Sequence, residues 1–196
     1  FRKASASPTS VKFVYSDQDI KITKEFDVSN SSYSIGLTIE IQNVSTRPIS
    51  LDLPLVLGVL DFTRDQMQAR FQDATISLKD KVVHFNARKD SFYDEVQFIG
   101  IRDRYFCLIV QPESSGWQGL TKKLTPQSSE VYLKPIDSRL PPGEYARYQF
   151  HIYLGPQDLQ QIKRVNPEWS ALIYFGSFDL IGHLLLQLLD VLYKVV

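Results

Sequence analysis

The chain has 196 residues, and its 22 Lys and Arg are balanced by 22 Asp and Glu, so its formal net charge is zero. This length allows one domain with a sizeable core, and the zero charge excludes the basic field that nucleic-acid binding requires. A single cysteine, Cys107, excludes an internal disulfide framework, and 12 Phe with 10 Tyr is an aromatic content typical of sheet proteins.

Alternating apolar and polar residues predict strands along most of the chain. In residues 33–42 every odd position is apolar and every even position is polar or Gly, which is the pattern of a half-buried strand. Residues 49–57 alternate again, and Pro54 within them indicates an edge or a bulge. Residues 145–154 form a third long strand. Its apolar face consists of Ala146, Tyr148, Phe150, Ile152 and Leu154, and its other face of Tyr145, Arg147, Gln149, His151 and Tyr153.

Shorter runs extend the same pattern. They cover residues 11–15, 20–26, 74–78, 82–86, 95–101, 105–111 and 130–134. About ten strands joined by turn-rich loops predict an antiparallel sandwich. Because helical patterns do not alternate with these strands, the order of elements argues against a parallel sheet.

Two segments before the C-terminus interrupt the strand pattern. Residues 112–127 are predicted to be the longest loop, and Trp117 in it is interpreted either as an exposed binding tip or as a ring folded over a sheet edge. Residues 156–166 predict a short helix, with Asp158 near its positive end and Asn166 at its stop.

Residues 179–196 predict an amphipathic helix about 27 Å long. Its polar residues fall within an arc of about 80°, and they are Asp179, His183, Gln187, Asp190 and Lys194. A polar stripe along the whole helix argues against a helix that crosses the membrane by itself. It favours a helix that lies flat on a membrane or against an apolar partner. The residues expected at the membrane interface are Ile181, Leu184, Leu185, Leu188, Leu189 and Leu192. A core helix of a soluble protein is the alternative.

Candidate catalytic groups are scattered. His84, His151 and His183 lack metal-ligand spacing, and the sequence contains no phosphate loop, nucleophile elbow or Cys-pair motif. Cys107 lies in a run of strand composition without electropositive neighbours, so a buried, inert thiol is expected. We therefore expect no catalytic residue, no metal and no cofactor.

Four stretches follow one another in an order that resembles a known family. They are residues 24–27 with 33–43 and Arg47-Pro48-Ile49; residues 98–106; residues 140–144 with 153–158; and residues 173–176 with the helix that follows them. Together they resemble the large extracytoplasmic domain of the bacterial YidC membrane protein insertases. The likeness extends over most of residues 20–196.

This resemblance implies a mutarotase-like, antiparallel β-super-sandwich with a short helix, a C-terminal amphipathic helix and no enzymatic role. It implies a location on the periplasmic side of the bacterial inner membrane. The partners it implies are the membrane surface, the Sec translocon with its accessory proteins, and nascent membrane proteins. The insertase groove of the family lies in a transmembrane bundle that would follow Val196, so the resemblance assigns no groove residue in this chain.

The resemblance also suggests domain limits. Residues 1–176 are expected to form the sandwich, and residues 177–196 the interfacial helix. No secretory signal is visible, and Phe1 is not a natural start, so we expect a fragment or a mature chain with an open sheet edge.

Two other functions compete with a non-catalytic insertase domain. The first is a carbohydrate-binding or mutarotase-like sandwich that uses exposed Tyr residues, Trp117 and carboxylates converging in one cleft. The second is a soluble protein whose terminal helix closes its own core, with Ile181, Leu185, Leu188 and Leu192 packed against the sheet.

Overall fold

The computed structural model describes residues 1–51, 54–62, 71–85, 89–136 and 139–173. Strands dominate this part of the chain. In chain order they are β1 (Arg2–Ala6), β2 (Ser10–Ser16), β3 (Ile20–Val28), β4 (Ser34–Asn43), β5 (Ile49–Ser50), β6 (Leu55–Asp61), β7 (Asp73–Leu78), β8 (Val82–Phe85), β9 (Ser91–Tyr93), β10 (Val96–Arg102), β11 (Phe106–Pro112), β12 (Trp117–Thr125), β13 (Ser128–Pro135), β14 (Arg139–Leu140) and β15 (Tyr145–Pro156).

The strands form a large sheet, a small sheet and a two-stranded ribbon. The large sheet has the order β1-β2-β3-β4-β15-β11-β10-β7-β8, the small sheet β6-β13-β12-β9, and the ribbon β14-β5. Neighbouring strands are antiparallel throughout the described pairs. The predicted antiparallel sandwich is therefore confirmed.

The main core lies where the small sheet packs on one face of the large sheet, which we call the inner face. Leu37 and Phe150 of the large sheet and Val131 and Leu133 of the small sheet belong to one buried apolar cluster. A Cβ atom added to Gly119 would lie 3.0 Å from Ile76 and 3.1 Å from Val96, so β12 needs a glycine where it approaches the large sheet.

A helical unit covers part of the opposite, outer face of the large sheet. It consists of α1 (Leu159–Val165) and a 3-10 helix (Pro167–Leu172). Ile162, Trp169 and Leu172 form a second buried cluster with Tyr153 and its sheet neighbours. The indole N–H of Trp169 donates to Oε1 of Gln111 at 2.6 Å, which anchors the unit to β11.

Capping residues set the ends of this unit. The carboxylate of Asp158 accepts hydrogen bonds from the backbone N–H groups of Gln160 and Gln161, so α1 begins after Asp158 and not at Pro156, which still belongs to β15. Asn166 ends α1, as predicted, and its side chain also caps the 3-10 helix.

Three predictions from the alternation pattern are wrong in detail. Residues 49–57 do not form one strand, because β5 and β6 belong to different sheets on either side of Pro54. The predicted loop 112–127 contains β12. Tyr153, expected on a polar face, is fully buried, because the helical unit covers it, whereas Leu154 is 54% exposed.

Candidate functional site

The residues predicted to meet the membrane, Ile181 to Leu192, lie outside the described residues, as does His183. Ile173, the last described residue, is 5% exposed and belongs to the buried cluster under the helical unit. Within the described ranges, no helix is long and apolar enough to cross a bilayer.

A cleft lies on the inner face of the large sheet, beside the end of the small sheet. We call it the inner-face cleft; it has a volume of about 170 Å³. Its lining is mainly aliphatic and aromatic, and includes Phe1, Ile22, Lys24, Ile39, Trp117, Tyr148 and Phe150. An apolar concave site of this kind is the usual place to look for a ligand.

Trp117 is one of the residues that line this cleft. It begins β12 and is only 3% exposed, so it is neither a loop tip nor an edge cover. Its ring contacts Tyr148 and Phe150 edge-on, with centroids 5.2 Å and 5.0 Å away. Trp117 thus joins the two sheets and also lines the cleft.

The described lining of the cleft carries little charge. Lys24 is the one charged residue among the described lining residues, and no described carboxylate joins it there. The acidic residues of β3 and β4 lie on the outer face instead, where Glu25 contacts Lys12 at 3.1 Å and Glu40 contacts Arg147 at 3.8 Å. These strands therefore contribute no carboxylate to the described lining of the cleft.

The histidines are placed separately. Nδ1 of His84, on β8, lies 2.9 Å from the hydroxyl of Thr75. Nε2 of His151, on the outer face of β15, lies 3.0 Å from a carboxylate oxygen of Glu113, and both side chains are largely exposed. In the part of the chain that the structure describes, no group of three His, Cys, Asp or Glu residues could hold a metal ion.

Cys107 is buried, as predicted, and belongs to the cluster under the helical unit. Burial raises the pKa of its thiol to about 12, with a smaller opposing effect of Arg102. Because the thiolate is the nucleophile, this thiol is unreactive at neutral pH.

Comparison with known sequences gives one family. The model of the YidC periplasmic domain matches residues 2–188. The membrane protein insertase YidC of Geobacter sp. (strain M21) is 23% identical over 186 residues, covering 90% of this chain and 34% of that protein. The membrane protein insertase YidC of Ruthia magnifica is 23% identical over 191 residues, covering 92% of this chain and 35% of that protein. The chain thus spans about a third of the length of these curated relatives.

Comparison with solved structures gives the fold. A putative aldose 1-epimerase from Escherichia coli K12 superposes with a TM-score of 0.56 at 9% identity, over 79% of this chain and 68% of that chain. A galactose mutarotase related enzyme from Lactobacillus acidophilus gives a TM-score of 0.54 at 10% identity, over 79% of this chain and 70% of that chain. At such identities the likeness concerns the mutarotase-like β-sandwich fold alone.

Proposed function

Because the chain belongs to the YidC periplasmic-domain family, we propose that it is the non-catalytic extracytoplasmic domain of a membrane protein insertase. The observation that carries this proposal is the family match over residues 2–188, nearly the whole chain. The domain lies on the periplasmic side of the bacterial inner membrane, and it acts by position and not by chemistry.

The terminal segment supplies the attachment to the membrane. Residues 1–176 form the sandwich, and residues 177–196 form an interfacial helix that leads towards the membrane-embedded part of the protein. The apolar residues of that helix enter the interface, and they are Ile181, Leu184, Leu185, Leu188, Leu189 and Leu192. The buried position of Ile173, four residues before this helix, supports a short connection between the packed sandwich and the helix.

The partners proposed for the domain are those of the whole insertase. They are the Sec translocon with its accessory proteins, and nascent membrane proteins on the periplasmic side. The many exposed side chains of the sandwich offer surfaces for such contacts, whereas the zero net charge gives no support to nucleic-acid binding.

A mutarotase-like or carbohydrate-binding function is the competing proposal, and the fold likeness is what favours it. Against it stands the inner-face cleft, whose described lining carries one lysine and no carboxylate. A mutarotase needs groups that donate and remove protons at the sugar ring. We therefore prefer the non-catalytic function.

Two measurements test this preference. Polarimetry with freshly dissolved α-D-galactose and α-D-glucose should give the same rate of mutarotation with and without the domain. In a full-length insertase that contains this domain, His84→Ala and His151→Ala should support membrane protein insertion as well as the wild type does. Accelerated mutarotation, or loss of insertion by a stably folded His variant, would overturn the non-catalytic reading.

A further inference from the structure

The two faces of strands β1 to β4 carry different chemistry. On the outer face, acidic and basic side chains are mixed, as in the contact between Lys12 and Glu25. On the inner face, β3 presents Ile20, Ile22, Lys24, Phe26 and Val28 at alternate positions. The carboxylates of β3 and β4 are Glu25, Asp27 and Glu40, and strand register puts all three on the outer face. The inner face of these strands is thus mainly apolar, and the charged residues that the strands place on it are lysines, whereas the nearest carboxylate, that of Asp17 after β2, accepts from the hydroxyl of Tyr15 at 2.8 Å.

Two lysines lie in one row across this inner face. Strand register pairs Lys3 with Phe13, Phe13 with Lys24, and Lys24 with Ile39. Within the described part of the chain, neither lysine forms an ion pair. Nζ of Lys24 instead lies 4.8 Å from the centre of the Phe1 ring.

An inward lysine can also protect a sheet edge from pairing with another chain. That explanation fits Lys3, because β1 is the edge strand of the described sheet. It does not fit Lys24, since β3 is paired on both sides, with β2 and with β4. A half-buried ammonium is costly unless it is paired, and none of the carboxylates that the structure describes pairs with Lys24, so the edge explanation leaves its position unexplained.

Aromatic rings lie on the inner face beside the two lysines, and Lys24 also lines the cleft. Phe13 and Phe26 contact each other edge-on, with centroids 6.2 Å apart, and Phe1 lies 5.6 Å from Tyr15. Beyond Lys24 the lining of the inner-face cleft includes Trp117. A ligand that fits this arrangement has a long apolar part and one acidic group.

The hydrogen bonding of the sheet decides between a lipid and a peptide. The backbone N–H and C=O groups of β2, β3 and β4 are used in the ladders to their neighbours. A peptide lying on this face would leave its own amide groups without partners, which is unfavourable in an apolar site. An acyl chain carries no such groups, and its acidic head can pair with the lysines.

From this geometry we propose that the inner-face cleft binds a single-chain acidic lipid, with its head at Lys24 and Lys3 and its acyl chain beside Trp117. This site goes beyond the proposed function, and it does not depend on the terminal helix. The domain would hold a lipid on the inner face of its large sheet while the helix holds the domain at the bilayer.

Dodecanoate is the probe, used below its aggregation concentration with the intact 196-residue chain and followed by calorimetry. Lys24→Met should weaken its binding by about tenfold or more, because a charge-assisted contact is lost from an apolar site. Lys21→Met, three positions earlier on the outer face of the same strand, is the matched control and should leave the affinity unchanged. Lys24→Arg should retain binding, and circular dichroism checks that every variant is folded.

Fluorescence locates the ligand. A bromine-substituted dodecanoate should quench Trp117, and Trp117→Phe should lose most of the quenching, because Trp169 is buried between the helical unit and the outer face of the sheet. Dodecyltrimethylammonium should bind wild type at least about tenfold more weakly than dodecanoate does.

Three results would overturn the proposal: no saturable dodecanoate binding, equal losses in Lys24→Met and Lys21→Met, or tighter binding of an apolar peptide with a C-terminal carboxylate. Liposome flotation of Lys24→Met separates this site from the membrane helix. Flotation should remain at the wild-type level, whatever happens to dodecanoate binding.

Discussion

Arg102 and Asp73 form a two-point ion pair between the neighbouring strands β10 and β7. Nε of Arg102 lies 2.7 Å from Oδ1 of Asp73, and Nη2 lies 2.6 Å from Oδ2. The two side chains are only 11% and 17% exposed. Asp73→Ala would leave a guanidinium with little access to water, so we expect the free energy of unfolding to fall by about 2–4 kcal/mol. Urea denaturation measures this change.

The exposed pair of Arg47 and Asp19 provides the control for that prediction. Its N–O distance is 3.4 Å, and its side chains are 76% and 53% exposed. Because water screens such a pair, Arg47→Ala should change the free energy of unfolding by less than about 0.5 kcal/mol. A comparable loss in both variants would mean that the buried pair has no special importance.

The contact between Gly100 and Leu172 fixes the helical unit on the sheet. A Cβ at Gly100 would lie 2.5 Å from Cδ1 of Leu172, which is fully buried. We expect Gly100→Ala to cost about 1–3 kcal/mol by overpacking, and Leu172→Ala about 2–5 kcal/mol by creating a cavity.

The double variant tests whether the contact itself is responsible. With Leu172→Ala in place, the closest contact of the methyl added by Gly100→Ala is removed and the carbonyl oxygen of Leu108 at 3.2 Å is the next closest atom, so the two costs should add only in part. Thermal and urea unfolding of the four proteins give the coupling energy. Full additivity would show that Gly100 is required for some reason other than the approach of Leu172.

Cys107 predicts a specific dependence on pH. Burial raises the pKa of its thiol to about 12, so the folded state keeps the proton while the unfolded thiol loses it near pH 9.0. The contribution of this group to stability is therefore complete below pH 9.0 and is lost as pH rises towards 12.

Replacing the thiol isolates that contribution. Cys107→Ala should reduce the decline of the free energy of unfolding between about pH 8 and about pH 10.5. The wild-type thiol should also resist a disulfide reagent at neutral pH until denaturant is added. Rapid modification of the folded protein at pH 7 would contradict the burial of this group.

Period-two alternation predicted the strands whose inward positions are mostly apolar. In residues 33–42 the odd positions became the core of β4, with Leu37 and Ile41 buried. β12 was missed because its inward residues after Trp117 are Gly119 and Thr121, while Leu120 faces outward. Its side chains thus give no apolar alternation, and only the packing of the small sheet explains the strand.

Other differences arise from tertiary structure. Tyr153 is buried by the helical unit that follows β15, and strand alternation alone does not predict this packing. The inner-face cleft forms from strands far apart in the chain, and so no local motif predicts it. One signal was present in the sequence. Lys24 is the single charged residue at the alternate positions of β3 that face inward, and the others are Ile20, Ile22, Phe26 and Val28.

The terminal helix is where the account can be tested most directly. Burying one Leu side chain fully contributes about 1.5–3 kcal/mol, and insertion into a membrane interface recovers part of that. Leu185 and Leu188 lie at the centre of the predicted apolar arc, and Gln187 and Asp190 on the polar stripe. Substitutions in the two regions should therefore have different effects on membrane binding.

The decisive measurement is flotation of the chain with liposomes. The wild type and Gln187→Ser/Asp190→Ser should float, whereas Leu185→Asp/Leu188→Asp should stay in the dense fraction while circular dichroism still reports a folded sandwich. If the Leu double variant unfolds the whole domain, the helix is a core element. If the wild type does not float, this helix does not bind the membrane surface, and the central claim is wrong.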